Sequence, residues 1–196
     1  MKKQNYIAAI ILFFALGTTL VSTAQKRNLV TPFRKGSVTV NLGVGMGVDY
    51  KGDYKYYNSG NGFGTKAALE VGVWQAGPGV VSLGAEVGGT FSNGTNKKYN
   101  DFRSRTVIVA GRSAWHYGWK VSGLDTYAGV SAGAGFHHYD YYDDHNVPNY
   151  YKNDEVIPVF GGFVGASYFF TPGFGVNVEA GYDITNIQAG VIFKLR

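Results

Sequence analysis

The sequence predicts an all-β chain, an eight-stranded antiparallel up-and-down transmembrane β-barrel. Three observations lead there. Apolar residues alternate with small or polar ones through nearly all of residues 37–196. The alternating segments are long, where a globular strand usually runs about 5–6 residues and a tilted membrane-spanning strand about 9–11. The connections between them are alternately short and long, which is how outer-membrane barrels are laid out.

Composition sets the outer limits. The chain has 196 residues, is 45% apolar and 16% aromatic, and is only 16% charged, against about 25% in ordinary globular proteins. It holds 29 Gly and no Cys, which excludes disulfide scaffolds, zinc ribbons and thiol catalysis. Abundant aromatic and β-branched residues argue against disorder.

Residues 1–24 read as a secretory signal peptide. Lys2 and Lys3 precede the apolar stretch Ile7–Leu16, and Ser22-Thr23-Ala24 supply the small residues of a cleavage site. Cleavage after Ala24 removes both lysines and takes the net charge from +5 to +3. So mild an excess, scattered along the chain, gives no reason to expect nucleic acid as a partner. Residues 25–36 read as a periplasmic N-terminal extension, and residues 37–196 as the barrel domain.

The first segment, Ser37–Tyr50, puts Val38, Val40, Leu42, Val44, Met46, Val48 and Tyr50 on one face, with Thr39, Asn41 and three glycines on the other. In Phe63–Gln75, Ala67, Leu69, Val71 and Val73 oppose Lys66, Glu70 and Gly72. Val80–Phe91 sets Val81, Leu83, Ala85 and Val87 against Ser82, Gly84, Glu86 and Gly88. Arg103–Tyr117 is the least regular, with Val107, Val109 and Trp115 facing away from Arg112 and His116. Asp125–His137 and Val156–Phe170 alternate small aliphatic or aromatic residues with Gly and Ser. Near the end, Val176, Val178, Ala180 and Tyr182 oppose Asn177, Glu179, Gly181 and Asp183. Finally, Ile187, Ala189, Val191, Phe193 and Leu195 oppose Asn186, Gln188, Gly190 and Lys194. Long polar joins are expected at Lys51–Gly62, Ser92–Phe102 and His138–Glu155, with a tight one at Asp183–Thr185.

Polarity decides which face is inside. An apolar interior, as in a lipocalin, would expose thirteen strand glycines to water, and Gly weakens a strand unless something must pass close to it. In a narrow barrel the lumen is filled by side chains, so small residues beside large polar ones belong there. The lumen then holds Lys66, Glu70, Glu86, Arg112, His116 and Glu179, with Lys194 lower down. Acids and bases are expected in rough balance, as an ion network centred on Glu70, Glu86 and Arg112 that plugs the barrel.

At this point the chain resembles the small eight-stranded outer-membrane β-barrel family, the OmpX-like, OmpA-transmembrane-like and opacity-like proteins of the porin group. The residues that carry the resemblance are Gly111-Arg112-Ser113-Ala114-Trp115-His116 leading into Thr126-Tyr127-Ala128-Gly129, and the alternating C-terminal run Asn186–Arg196. Members end in a strand with a terminal aromatic that the barrel-assembly machinery reads; here Phe193 is the last aromatic, before Leu195-Arg196. The resemblance implies an integral protein of the Gram-negative outer membrane, with outer-membrane lipid and lipopolysaccharide as surroundings, and no single activity.

Candidate chemistry is sparse. Gly129-Val130-Ser131-Ala132-Gly133 matches a nucleophile pattern, but that motif needs a sharp strand-to-helix turn and this one lies within a strand. The stretch after Phe136 offers His137, His138, Asp140, Asp143 and His145 as weak metal-ligand candidates, without diagnostic spacing. Tyr54, Tyr56, Tyr57, Tyr139, Tyr141, Tyr142, Tyr150 and Tyr151 cluster in or beside the long joins. Such tyrosines, mixed with Asn, Asp and Gly, suit an adaptable contact surface. No catalytic set and no cofactor is expected. The function expected is non-enzymatic, envelope integrity or binding of an unknown extracellular ligand. The alternatives are a lipid-modifying outer-membrane enzyme and a narrow porin-like channel.

Overall fold

A computed structural model describes residues 33–48, 62–95, 101–143 and 149–196, and of these the side chains outside 93–95, 101–102, 139–143 and 149–153. Eight strands run in chain order: β1 (Val38–Gly47), β2 (Phe63–Ala76), β3 (Gly79–Thr95), β4 (Asp101–Gly118), β5 (Leu124–Asp143), β6 (Asn149–Thr171), β7 (Phe174–Tyr182) and β8 (Thr185–Lys194). Each pairs antiparallel with its sequence neighbours, and β1 pairs with β8 to close the barrel.

Closure is staggered. Following paired residues from Phe63 through Met46, Ile187, Ala180, Val164, Ala128, Trp115 and Val81 returns to β2 at Trp74, well below the starting point. Such a stagger accompanies the tilt of strands in small barrels. It also brings residues from distant points of the sequence to one level of the lumen.

The two faces of the wall are unlike. Leu42, Val44, Leu83, Val109, Val130, Val164 and Ile187 are exposed on the outside, as are their neighbours in the pattern. Exposed aromatics gather toward both ends, with Phe63, Phe91 and Phe136 nearer the long joins and Trp74, Trp115, Tyr168, Phe170 and Phe174 nearer the short turns. Trp115 donates from its indole N–H to the Ala76 carbonyl at 3.0 Å. Inside lie buried Lys66, Glu70, Glu86, Arg112, His116 and Glu179.

Glycine on the inner face makes room. A Cβ at Gly165 would collide with the Tyr127 ring, and one at Gly129 with the Phe163 ring. Both aromatic rings therefore pack against a glycine of the neighbouring strand.

Four expectations need correction. The alternation of the first segment stops early: β1 ends at Gly47 with a shift of register against β8, and Val48 turns inward, only 2% exposed. Tyr50 lies outside the described residues. In β2 a bulge between Gly72 and Trp74 skips Val73 and turns Trp74 outward. The joins expected at Ser92–Phe102 and His138–Glu155 are largely strand, because pairing continues to Thr95 with Asp101 and to Asp143 with Asn149. The second of these carries five tyrosines, which favour strands, while the first is rich in Asn, Lys and Gly and is held by its pairing rather than by propensity. The lumen is also less uniformly polar than its glycines suggest. Ile108, Ala110, Ile157, Val159 and Ile184 form an aliphatic cluster inside it, toward the long-join end.

Candidate functional site

The lumen has three levels. Arg112 on β4 is the hub of the middle one. Its Nη1 donates to Glu86 at 2.9 Å and its Nη2 to Glu179 at 3.0 Å, while Nε lies 2.6 Å from a Glu70 oxygen. The guanidinium rests over the Phe163 ring, 4.0 Å from its centre, a stacking that suits a planar cation. Lys66 on β2 donates to Glu179 and, at 2.6 Å, to Asp183, and it stands 4.0 Å from Glu86. The Tyr127 hydroxyl donates to Glu179 at 3.1 Å. Each of these charges is almost wholly removed from water, so their partners offset a desolvation cost of several kcal/mol per ion.

At the short-turn end, His116 bridges two carboxylates, with Nε2 2.8 Å from Glu70 and Nδ1 2.8 Å from Asp125. Phe33 lies at this end. Its ring stacks on the His116 imidazole with centres 4.0 Å apart and planes 18° apart, and it is 4% exposed. The chain reaches there because Gly36, at a φ of 85°, turns the segment back. Gly36 donates to the Gly72 carbonyl at 2.7 Å and Gly72 donates to Ser37 at 2.9 Å. A Cβ at Gly72 would strike the Arg34 carbonyl, so the glycine is the seat for this segment.

Toward the long joins, the tight turn after β7 folds into the barrel mouth. The Asp183 side chain accepts from the backbone N–H of Ile184 at 2.6 Å and of Thr185 at 3.1 Å. That Asx-type turn drives the fully buried Ile184 down onto the aliphatic cluster. One carboxylate thus shapes the turn with one oxygen and holds Lys66 with the other.

Lys66, Glu70, Glu86, Arg112, His116 and Glu179 are therefore in one connected set. Charge balance is not as expected: among the described residues, Asp125 and Asp183 join the three glutamates against Lys66, Arg112 and His116. Lys194, half-buried at the short-turn end, stands 5.8 Å from the Phe169 ring centre.

Sequence reasoning missed Asp125, Tyr127, Phe163 and Asp183 as members. Inward parity was available for all four, since Tyr127 alternates with Gly129 and Phe163 with Gly161 and Gly165. Phe33 precedes any alternation and gave no signal.

Among the metal candidates, His137 and His138 face opposite sides of β5. His137 points in, 2.9 Å from the Thr106 hydroxyl, and His138 pairs outside with Asp154. Successive strand residues diverge in this way, so these two cannot share one ion. Asp140 and Asp143 are placed only by backbone, and His145 lies outside the described residues. Tyr139, Tyr141, Tyr142, Tyr150 and Tyr151 are likewise placed only as strand positions, in which Tyr141 registers with Tyr151 and Tyr142 with Tyr150. Tyr54, Tyr56, Tyr57 and residues 1–32 lie outside the described residues.

One constellation has the connectivity of a catalytic triad: Ser82 Oγ is 3.2 Å from His116 Nε2, and Asp125 holds Nδ1. Glu70 disarms it. The Ser82 hydroxyl donates to Glu70 at 2.8 Å, and the same glutamate oxygen takes the Nε2 side of the ring. A nucleophile needs a free base within reach, and here both ring nitrogens are engaged by carboxylates. Ser131, the motif serine, is buried within β5 on the lumen side.

No protein-family model and no curated protein matches the sequence. Among solved structures, the chain is similar to a designed transmembrane β-barrel, at 18% identity and a TM-score of 0.46, covering 83% of this chain and 98% of that one. It is also similar to Ail, the attachment invasion locus protein of Yersinia pestis, at 10% identity and a TM-score of 0.44, covering 82% and 95%. Neisserial surface protein A matches at 11% identity and a TM-score of 0.42, covering 81% of this chain and 92% of that one.

Proposed function

We propose that the chain is a non-enzymatic integral protein of a Gram-negative outer membrane, with a lumen closed by its own side chains. The observation that carries this reading is the reversed polarity of the wall. Large aliphatic and aromatic side chains stand exposed around the barrel, while the buried positions hold carboxylates, Lys, Arg and His. Contiguous apolar surface on that scale is a liability in water; against lipid chains it is the expected exterior, flanked by aromatic girdles. On this reading lipid and lipopolysaccharide surround the barrel, and the barrel-assembly machinery inserts it after a signal peptide directs export. The Tyr-rich long joins serve envelope integrity or contact with a ligand outside the cell.

Two features support a closed, non-catalytic lumen. Phe33, the Arg112 hub and Ile184 fill successive levels of it, and the Ser82 hydroxyl is committed to Glu70.

The test is insertion. The full chain should fold into liposomes and migrate differently on gels before and after boiling, with no unitary conductance and no mass change in the lipids. Val130, 64% exposed on the outer wall, gives a sharper measurement. Val130→Arg should cost about 2–4 kcal/mol in a bilayer and almost nothing if that face meets water. A chain that stays monomeric and soluble without detergent would refute the membrane reading.

A further inference from the structure

The outer wall is not evenly covered. Across β1 to β4 it carries an apolar groove of about 510 Å³. Its floor is made of small residues, Ala67 and Gly89, and its sides of Val44, Val87, Phe91 and Val107. The sides stand out because they are large and exposed, between 42% and 55%. Gly89 occupies an outward position between Val87 and Phe91, and the Phe91 ring leans over it to wall the groove.

Just beyond the groove, on the side of the long joins, the apolar surface ends in cations. Arg105 is exposed, two residues along β4 from Val107, and it registers with Phe91 on one side and His138 on the other. At about 3.3 Å per residue the step from Val107 to Arg105 is roughly 7 Å. Arg103 is the next outward residue, also exposed, with Asp140 at its register position on β5. The outward carboxylate Asp154 lies on β6 and is held by His138. Arg105 therefore stands between an aromatic residue and an imidazole, directly above the groove.

An apolar slot headed by arginines matches a lipid with a phosphate headgroup. Guanidinium binds phosphate through paired, charge-assisted hydrogen bonds. A phosphate monoester carries about −1.5 to −2 at neutral pH, which suits two adjacent arginines better than a singly charged diester does. We propose that this groove is a specific lipid site, which seats an acyl chain of a phosphorylated outer-leaflet glycolipid with its phosphate monoester on Arg105 and Arg103. The inference rests on the membrane reading and adds to it a named partner and a place for it on the wall.

The test uses the full chain in nanodiscs of phosphatidylcholine containing either diphosphorylated lipid A or phosphatidylglycerol at equal total charge. Lipid kept through detergent extraction is measured by native mass spectrometry, and folding by heat-dependent gel mobility. Lipid A should be retained about tenfold over phosphatidylglycerol, a difference of about 1.4 kcal/mol. The double variant Arg103→Ser/Arg105→Ser should abolish that preference. Ala67→Phe, which fills the groove floor and leaves both arginines in place, should reduce it. Equal retention of the two lipids, or a preference unchanged in both variants, overturns the proposal while folding in the discs keeps the membrane reading. A chain that folds in neither disc overturns both.

Discussion

Two levels of the same lumen, neighbours along β4 and β6, are packed by opposite kinds of side chain. Around Arg112 the space is filled by charges, and three glutamates converge on one guanidinium. One step toward the long joins, Ile108, Ile157, Val159 and Ile184 fill it with hydrocarbon. The aliphatic level makes no directional demand, and its stability is the transfer of apolar area, about 1.5–3 kcal/mol per large side chain. The ionic level gives little net stability, because each charge has lost its hydration. What it supplies is mutual dependence: remove one member and the others are stranded. The comparison teaches that one lumen can be packed by paired charges at one level and by hydrocarbon at the next.

The contrast can be broken most severely at the hub. Arg112→Met keeps much of the volume but strands Glu70, Glu86 and Glu179, and should destabilise the barrel by about 3–5 kcal/mol. Urea unfolding in detergent micelles would measure it, and a midpoint equal to wild type would mean the network carries no such dependence. Ile108, 0% exposed, is the corresponding residue above. Ile108→Ala should cost about 2–4 kcal/mol by leaving a cavity. Unlike the hub variant, its loss should be largely recovered by Ile108→Val, because shape alone is at stake.

Two smaller tests sharpen the boundaries of the levels. Phe33→Ala removes the buried ring stacked on His116 and should cost about 2–3 kcal/mol, from lost burial together with the lost stacking. It should also make His116, 5% exposed in the wild type, more reactive toward diethyl pyrocarbonate than in the wild type; equal reactivity would show that Phe33 is not the closure. Thr106→Val removes the hydroxyl at His137 and should cost about 1 kcal/mol, the smallest effect of the four.

Much of the fold was legible because strand alternation is written residue by residue. Val107, Val109 and Trp115 face away from Arg112 and His116 even in the segment with the weakest pattern. The eight strands and their order fall in the same positions, give or take their ends. The ends were less legible: Val48 continues the alternation in sequence, yet the register shift beside Gly47 turns it inward. The joins around Asn93 and Tyr141 read as loops because their composition is polar, although pairing carries through them.

By itself the sequence determined which side of the wall most strand residues face, the bulge at Gly72–Trp74 being the exception. The pleat of an extended chain fixes that locally, since successive side chains point to opposite sides. The tertiary structure alone decided which inward residues meet. Lys66 reaches Asp183, and Phe33 covers His116, only because the sheet closes on itself with a stagger and Gly36 returns the chain beneath it. Those meetings depend on how far each strand slides past the next before the ring closes. That slide is a property of all eight strands together, so no single segment encodes it.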